Sequence, residues 1–237
     1  MWEIPIFVIV GLTMGALGSV FVRWNGIVVK VRRKFATRFP RLGSPLAFAF
    51  IVATITSVLT FPGFIGAAVN PQNPLQAFKS LIDAAELVNE ETTGISGPGY
   101  SIPAYASVAI WTASRFFLTP LSLTLPVPTG LFVPVLSIGA GFGRLFGKFL
   151  QEYIFSSAFV AGYALVAGGS LVASVTQTLS TSVILMEMTG NLDYLFPILA
   201  AIVTSVFVSK ALGVSIFDRI VKDKRLPYLK YVHLFHI

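Results

Sequence analysis

The feature that most restricts this chain is a run from Ile4 to Val22 that carries no charged side chain. At about 1.5 Å per residue such a run matches the hydrocarbon thickness of a bilayer. Within that layer a segment must satisfy its own backbone polar groups, so the run reads as a membrane helix. A second charge-free stretch, Leu46 to Val69, predicts a second span, kinked or ended near the far interface by Pro62 and Gly63. Composition agrees: 55% of the 237 residues are hydrophobic and 11% are charged, far from the soluble average. Met1-Trp2-Glu3 lacks the positive start and small-residue cleavage site of a secretory signal, so the first span is expected to stay in an integral, multi-pass membrane protein.

The net charge of +7 is concentrated in two places. Arg23, Lys30, Arg32, Arg33, Lys34, Arg38 and Arg41 follow the first span with no acidic residue among them, and the tail from Asp218 to Lys230 is mostly basic. No basic stripe interleaved with aromatics runs along the chain, which argues against nucleic acid as a partner. The two clusters instead predict a basic loop after span one and a tail that both face the cytosol. Asp83, Glu86, Glu90 and Glu91 place the segment from Asn70 to Pro103 on the external side, with an amphipathic helix around Leu75 to Val88. The absence of cysteine excludes disulfides and thiolate metal sites, and His233 and His236 sit in the polar tail.

After Pro103 the pattern changes. Apolar runs are interrupted every dozen or so residues by Arg115, Pro120, Pro126, Pro128, Gly130, Arg144, Gly168, Gly169 and Gly190. This predicts short broken helices, which at membrane depth are tolerated where protein or a water-filled path surrounds them. Gly139, Gly143 and Gly147 fall four apart on one helical face, where a second backbone can approach closely. Arg144, on another face, requires a partner, a cavity or an interface.

The segment Pro126-Val127-Pro128-Thr129-Gly130-Leu131-Phe132-Val133-Pro134 carries the most chemistry. Gly130 allows a sharp turn, and Pro134 fits a first helical turn because its missing N–H would have had no intrahelical partner. The amides of Leu131, Phe132 and Val133 then point out of the helix start, where the helix dipole adds partial positive charge without a fixed cation. Such a site holds an anion loosely enough to release it.

These residues resemble the CLC family of chloride channels and chloride–proton antiporters, whose second half carries a Gly-x-Phe-x-Pro signature, here Gly130 to Pro134. Gly139 to Gly147 (GAGFGRLFG), Ser174 to Asn191 (SVTQTLSTSVILMEMTGN) and Ser215 to Leu229 (SIFDRIVKDKRLPYL) resemble later family segments in the same order. PVPxG and LPYL are closest to the animal channel branch. The resemblance implies an all-α integral membrane fold: the second inverted-topology repeat of a CLC-type domain, with broken, tilted helices, over residues 1–213. A cytosol-directed exit helix over 214–229 and a tail over 230–237 complete the expected organisation. The first-half family signatures, including the segment with the gating glutamate, are not found in this sequence.

The implied function is chloride or anion transport across the membrane as half of such a domain, without a cofactor or metal, the chloride ion being the transported ligand. The implied anion site comprises Gly130, Leu131, Phe132, Val133, Pro134 and Phe217; the last occupies the place where the family has a tyrosine that offers its hydroxyl to the anion. Tyr228 lies about three turns further on and is no simple substitute. The implied partners are the lipid bilayer and a second subunit: a homodimer, or a first-half or full-length relative, through Thr178 to Met188 and Tyr194 to Lys210. Glu187 and Asp193 read as structural. A non-conducting regulatory or assembly subunit is the alternative. No HExxH, nucleophile elbow or metal-ligand cluster suggests an enzyme.

Overall fold

The computed structural model describes residues 4–39, 44–59, 95–97, 100–102, 104–125, 129–153, 160–189 and 195–224. Among them are eight helices: α1 (Ile4–Arg38), α2 (Pro45–Leu59), α3 (Ala104–Leu123), α4 (Phe132–Tyr153), α5 (Val160–Thr176), α6 (Thr181–Thr189), α7 (Leu195–Leu212) and α8 (Ile216–Lys224). The described elements are helical apart from one small antiparallel hairpin, in which β1 (Ile95–Gly97) pairs with β2 (Tyr100–Ile102) and Ser96 faces Ser101. The expected helix at Leu75 to Val88 and the second half of span two lie outside the described residues.

The bundle is organised around α5. Every residue from Ala161 to Val175 is buried, so this helix has no lipid-facing or solvent-facing side. Its abundance of Ala, Gly and Ser permits close approach from several directions at once, and α4, α1 and α7 pack around it. The expected glycine face of α4 meets it: a Cβ at Gly139 would lie 2.8 Å from the Ala167 carbonyl oxygen, and one at Gly147 would lie 3.2 Å from Val160 Cα. Gly15 of α1 serves the same purpose against α7, where a Cβ would lie 2.7 Å from the Ser205 carbonyl oxygen. Aromatic contacts join the layers: Phe7 stacks on Tyr163 at 4.9 Å, and Phe116 meets Phe21 edge-on at 5.5 Å.

Two expectations are corrected. The basic residues after span one do not form a loop; α1 continues unbroken through Arg38. Nothing between Val22 and Arg38 breaks a helix except Gly26, and the first strong stop is Pro40. The interruptions expected at Arg115, Pro120, Arg144, Gly168 and Gly169 are also absent, because these residues lie inside α3, α4 and α5. Gly168 instead lets α5 approach α4, with a Cβ position 3.1 Å from the Leu136 carbonyl oxygen. Described breaks do occur at 124–125 and 129–131, at 177–180 and at 213–215. Among the described residues three helical stretches, Pro5–Arg38, Phe132–Glu152 and Ile198–Asp223, are long and apolar enough to cross a membrane.

Candidate functional site

Leu131 is the residue at which α4 begins to form: its carbonyl accepts the first helical bond, from the Val135 N–H at 3.2 Å. Phe132, Val133 and Pro134 therefore occupy the first turn, whose N–H groups have no partner within the helix. Pro134 has no N–H to satisfy. Among the described residues, the N–H groups of Leu131, Phe132 and Val133 have no partner, and the aliphatic side chain of Leu131 supplies no acceptor.

Two other helix starts in the same chain are treated differently. At α2, Ser44 Oγ accepts from the Ala47 N–H at 3.4 Å. At α8, Ser215 Oγ accepts from the Asp218 N–H at 3.1 Å and donates to the Asp218 carboxylate at 2.9 Å. These are ordinary N-caps. Among the described residues the α4 start has no cap, and it is half-buried, with Leu131 and Phe132 packed against the core at its flank. Ser137 Oγ turns back to the Pro134 carbonyl at 2.9 Å and leaves the amide end clear.

Gly130 itself is exposed, and its backbone lies outside the left-handed region; a Cβ there would meet nothing within 4 Å. Five of the six sequence-assigned residues, Gly130 to Pro134, sit together at this one helix start. Phe217 is on α8, directly after the buried Ile216, and is 52% exposed. That helix packs on α1 and α5 and, among the described residues, has no extended interface with α4.

Several residues that hold other helix ends in place were not found from sequence. Gln177, at the break between α5 and α6, adopts a φ of 56°, rare for a residue with a side chain. Its Nε2 donates to Ser209 Oγ at 3.3 Å and to the Gly213 carbonyl at 3.0 Å, which holds the elbow between α7 and α8. Arg23 donates to the Leu212 carbonyl at 2.9 Å beside it. Arg32 donates to the Thr124 carbonyl, with its guanidinium 4.9 Å from the centre of the Phe48 ring, and Arg33 donates to the Asp223 carbonyl. The available signal was the run of arginines at helical spacing without acidic neighbours. Arg144 is buried and is not without a partner. Glu187 is exposed, whereas Asp193 and Tyr228 lie outside the described residues.

Fold and site together define a helical membrane protein in which long helices pack around a central buried one and one helix start has no cap among the described residues. The chain belongs to the voltage gated chloride channel family, whose family model matches residues 1–210. It is 32% identical to human "Chloride channel protein 2" over 247 aligned residues, covering 96% of this chain and 27% of that protein. It is 29% identical to a "Chloride channel protein" of Tetronarce californica, covering 96% of this chain and 30% of that one. Among solved structures it is similar to a eukaryotic CLC transporter, with a TM-score of 0.77 and 28% identity over 96% of this chain and 36% of the other. The chain thus spans about a quarter to a third of the length of these relatives.

Proposed function

We propose that this chain contributes one side of a chloride path, acting with the remainder of a CLC-type domain supplied by the same product or by a partner subunit. Residues 1–213 correspond to the second inverted repeat in this reading, and 214–229 to the exit helix. The anion is held at the start of α4 by the N–H groups of Leu131, Phe132 and Val133, with Gly130 and Pro134 shaping the turn. The observation that carries the proposal is that the α4 start has no cap among the described residues, in a chain that caps α2 and α8 with serine. Neutral amide dipoles suit a conducted ion because they attract it without trapping it. The name of the human relative supports chloride as the ligand.

Phe217 stands at the second position of α8, where a tyrosine would add a hydroxyl donor to the anion. A hydrogen bond to a charged group contributes roughly 1.5–3 kcal/mol, so Phe217→Tyr should tighten chloride binding by up to about one to two orders of magnitude. Phe217→Leu should change it little. Calorimetric titration of chloride into the assembled complex tests this; equal affinity in the Tyr variant and the parent would remove Phe217 from the site. The chain by itself should give no chloride-selective efflux from liposomes, since one half of the path leaves the other side open.

A second reading, a non-conducting regulatory or assembly subunit, is favoured by the exposed apolar face of α7, where Phe196 and Phe207 are each 76% exposed. With Leu199 and Val203 they form one stripe, suited to a second copy or to a full-length relative. Co-expression separates the two readings. Co-purification with a full-length relative accompanied by reduced current supports the second, and restored current from a first-half partner supports the first.

A further inference from the structure

The outward face of α1 changes character along its length. Ile9, Leu12, Val20, Ile27 and Val31 are exposed apolar residues spaced at about one or two helical turns, which places them on one face. On the same face, at the cytosolic end expected from the charge pattern, this row gives way to Lys30, Lys34 and Arg38, all exposed. Steps of four residues place these cations in a line about 12 Å long on one side of the helix.

These three cations differ from their neighbours on α1. Arg23, Arg32 and Arg33 are engaged with the carbonyls of Leu212, Thr124 and Asp223. Among the described residues the side chains of Lys30, Lys34 and Arg38 have no hydrogen-bond or ion-pair partner. Asp218, one of the two described carboxylates on α8, is occupied by Ser215. A line of uncompensated positive charge thus continues directly from an apolar face that only lipid or another apolar surface suits.

We propose that this face of α1 docks anionic phospholipid, with phosphate headgroups at Lys30, Lys34 and Arg38 and acyl chains along Val31, Ile27 and Val20. The continuity of the cations with the apolar row selects a lipid over a soluble acidic peptide or free phosphate, neither of which uses the apolar part. Juxtamembrane clusters of this kind attract anionic leaflets through additive contributions from each cation.

The test is binding of dioleoyl phosphatidylserine to the purified 237-residue chain in detergent micelles, measured by native mass spectrometry with dioleoyl phosphatidylcholine as reference. The parent should prefer the serine lipid, and that preference should weaken at high salt as the charges are screened. The triple variant Lys30→Gln, Lys34→Gln, Arg38→Gln should lose roughly 10- to 100-fold in affinity for the serine lipid while binding of the choline lipid stays unchanged. Lys30→Arg with Lys34→Arg should keep the preference. The proposal is overturned if the parent's preference is insensitive to salt, if the triple Gln variant binds the serine lipid like the parent, or if the Arg variant loses as much as the Gln variant. Competition by soluble glycerophosphoserine at the same concentration as the lipid would show a free-phosphate site and overturn it equally.

Discussion

Replacing Leu131 by serine sets helix stability against anion binding. Serine is a strong N-cap, and its Oγ accepts from the N–H two or three positions on. Pro134 has no N–H, so in this helix the cap reaches only Val133. Leu131 is partly packed against the core, and truncating it has a cost of its own. Leu131→Ala carries the same truncation without the hydroxyl, so comparing the two variants isolates the cap. The cap contributes about 0.5–2 kcal/mol, which for a chain of this size raises the melting temperature of the Ser variant above the Ala variant by roughly 2–4 °C per kcal/mol. The same Oγ withdraws the Val133 amide from an anion. Losing one donor to a charged ligand weakens binding by up to about 10- to 100-fold. Thermal unfolding in detergent and chloride calorimetry on the assembled complex should therefore rank the two variants in opposite orders. Equal melting temperatures would mean that the Val133 amide is not free. Equal chloride affinities alongside a higher-melting Ser variant would mean that the anion is held elsewhere.

Two nearby glycines should respond differently. Gly139→Val places side-chain atoms against the Ala167 carbonyl and Gly168 Cα, both 2.8 Å from the Cβ position, and overpacking of this kind costs about 1–3 kcal/mol. Gly130→Ala meets nothing within 4 Å and should stay within about 0.5 kcal/mol of the parent in the same unfolding assay. At Gln177, Ala and Gly both remove the bonds to Ser209 and Gly213, but only Gly relieves the φ of 56°, so the Gly variant should be about 1–2 kcal/mol more stable than the Ala variant. A cysteine in place of Ala36 should resist an impermeant thiol reagent on intact cells, while one in place of Glu90 should react; the reverse pattern would invert the expected topology.

The parts of the fold legible in the sequence were those set by a single segment's own chemistry. The charge-free run of span one and the spaced glycines of α4 each fix a local outcome, a spanning helix and a close helix contact. The helix start at Leu131 is of the same kind, since Pro134 within a first turn is readable without knowledge of the neighbours. What escaped depended on partners distant in sequence. Gly168 and Gly169 read as breaks because nothing local says that α4 and α6 press on them. The arginines of α1 read as a loop because their acceptors, at Thr124, Leu212 and Asp223, are far along the chain. Gln177 gave no local warning: its strained backbone is tolerated through bonds to an elbow more than thirty residues away.

In the proposed reading, those arginine contacts also bear on how the helix ends of this bundle can favour an anion. Every interruption leaves carbonyl groups without helical partners and places the negative end of a helix dipole at the break. The ends of α3, α7 and α8 would each present such a negative pole, and each has a guanidinium from α1 on a carbonyl at or next to its end. The described starts of α2 and α8 are capped by serine, which masks their amides. Among the described residues the amides at the start of α4 have no partner, so of these helix ends it presents positive potential with neither a cap nor a fixed cation. In the proposed reading, an anion at the α4 start meets an amide pole without a cap among the described residues, while the carbonyl poles at these three ends are covered. Neutralising one arginine, as in Arg32→Gln, should weaken chloride binding at α4 without touching the site, through the uncovered carbonyl end of α3. Chloride calorimetry on the assembled complex, with melting temperature followed in parallel, decides this: a stable Arg32→Gln variant with unchanged chloride affinity would show that the covered carbonyl ends serve the fold alone.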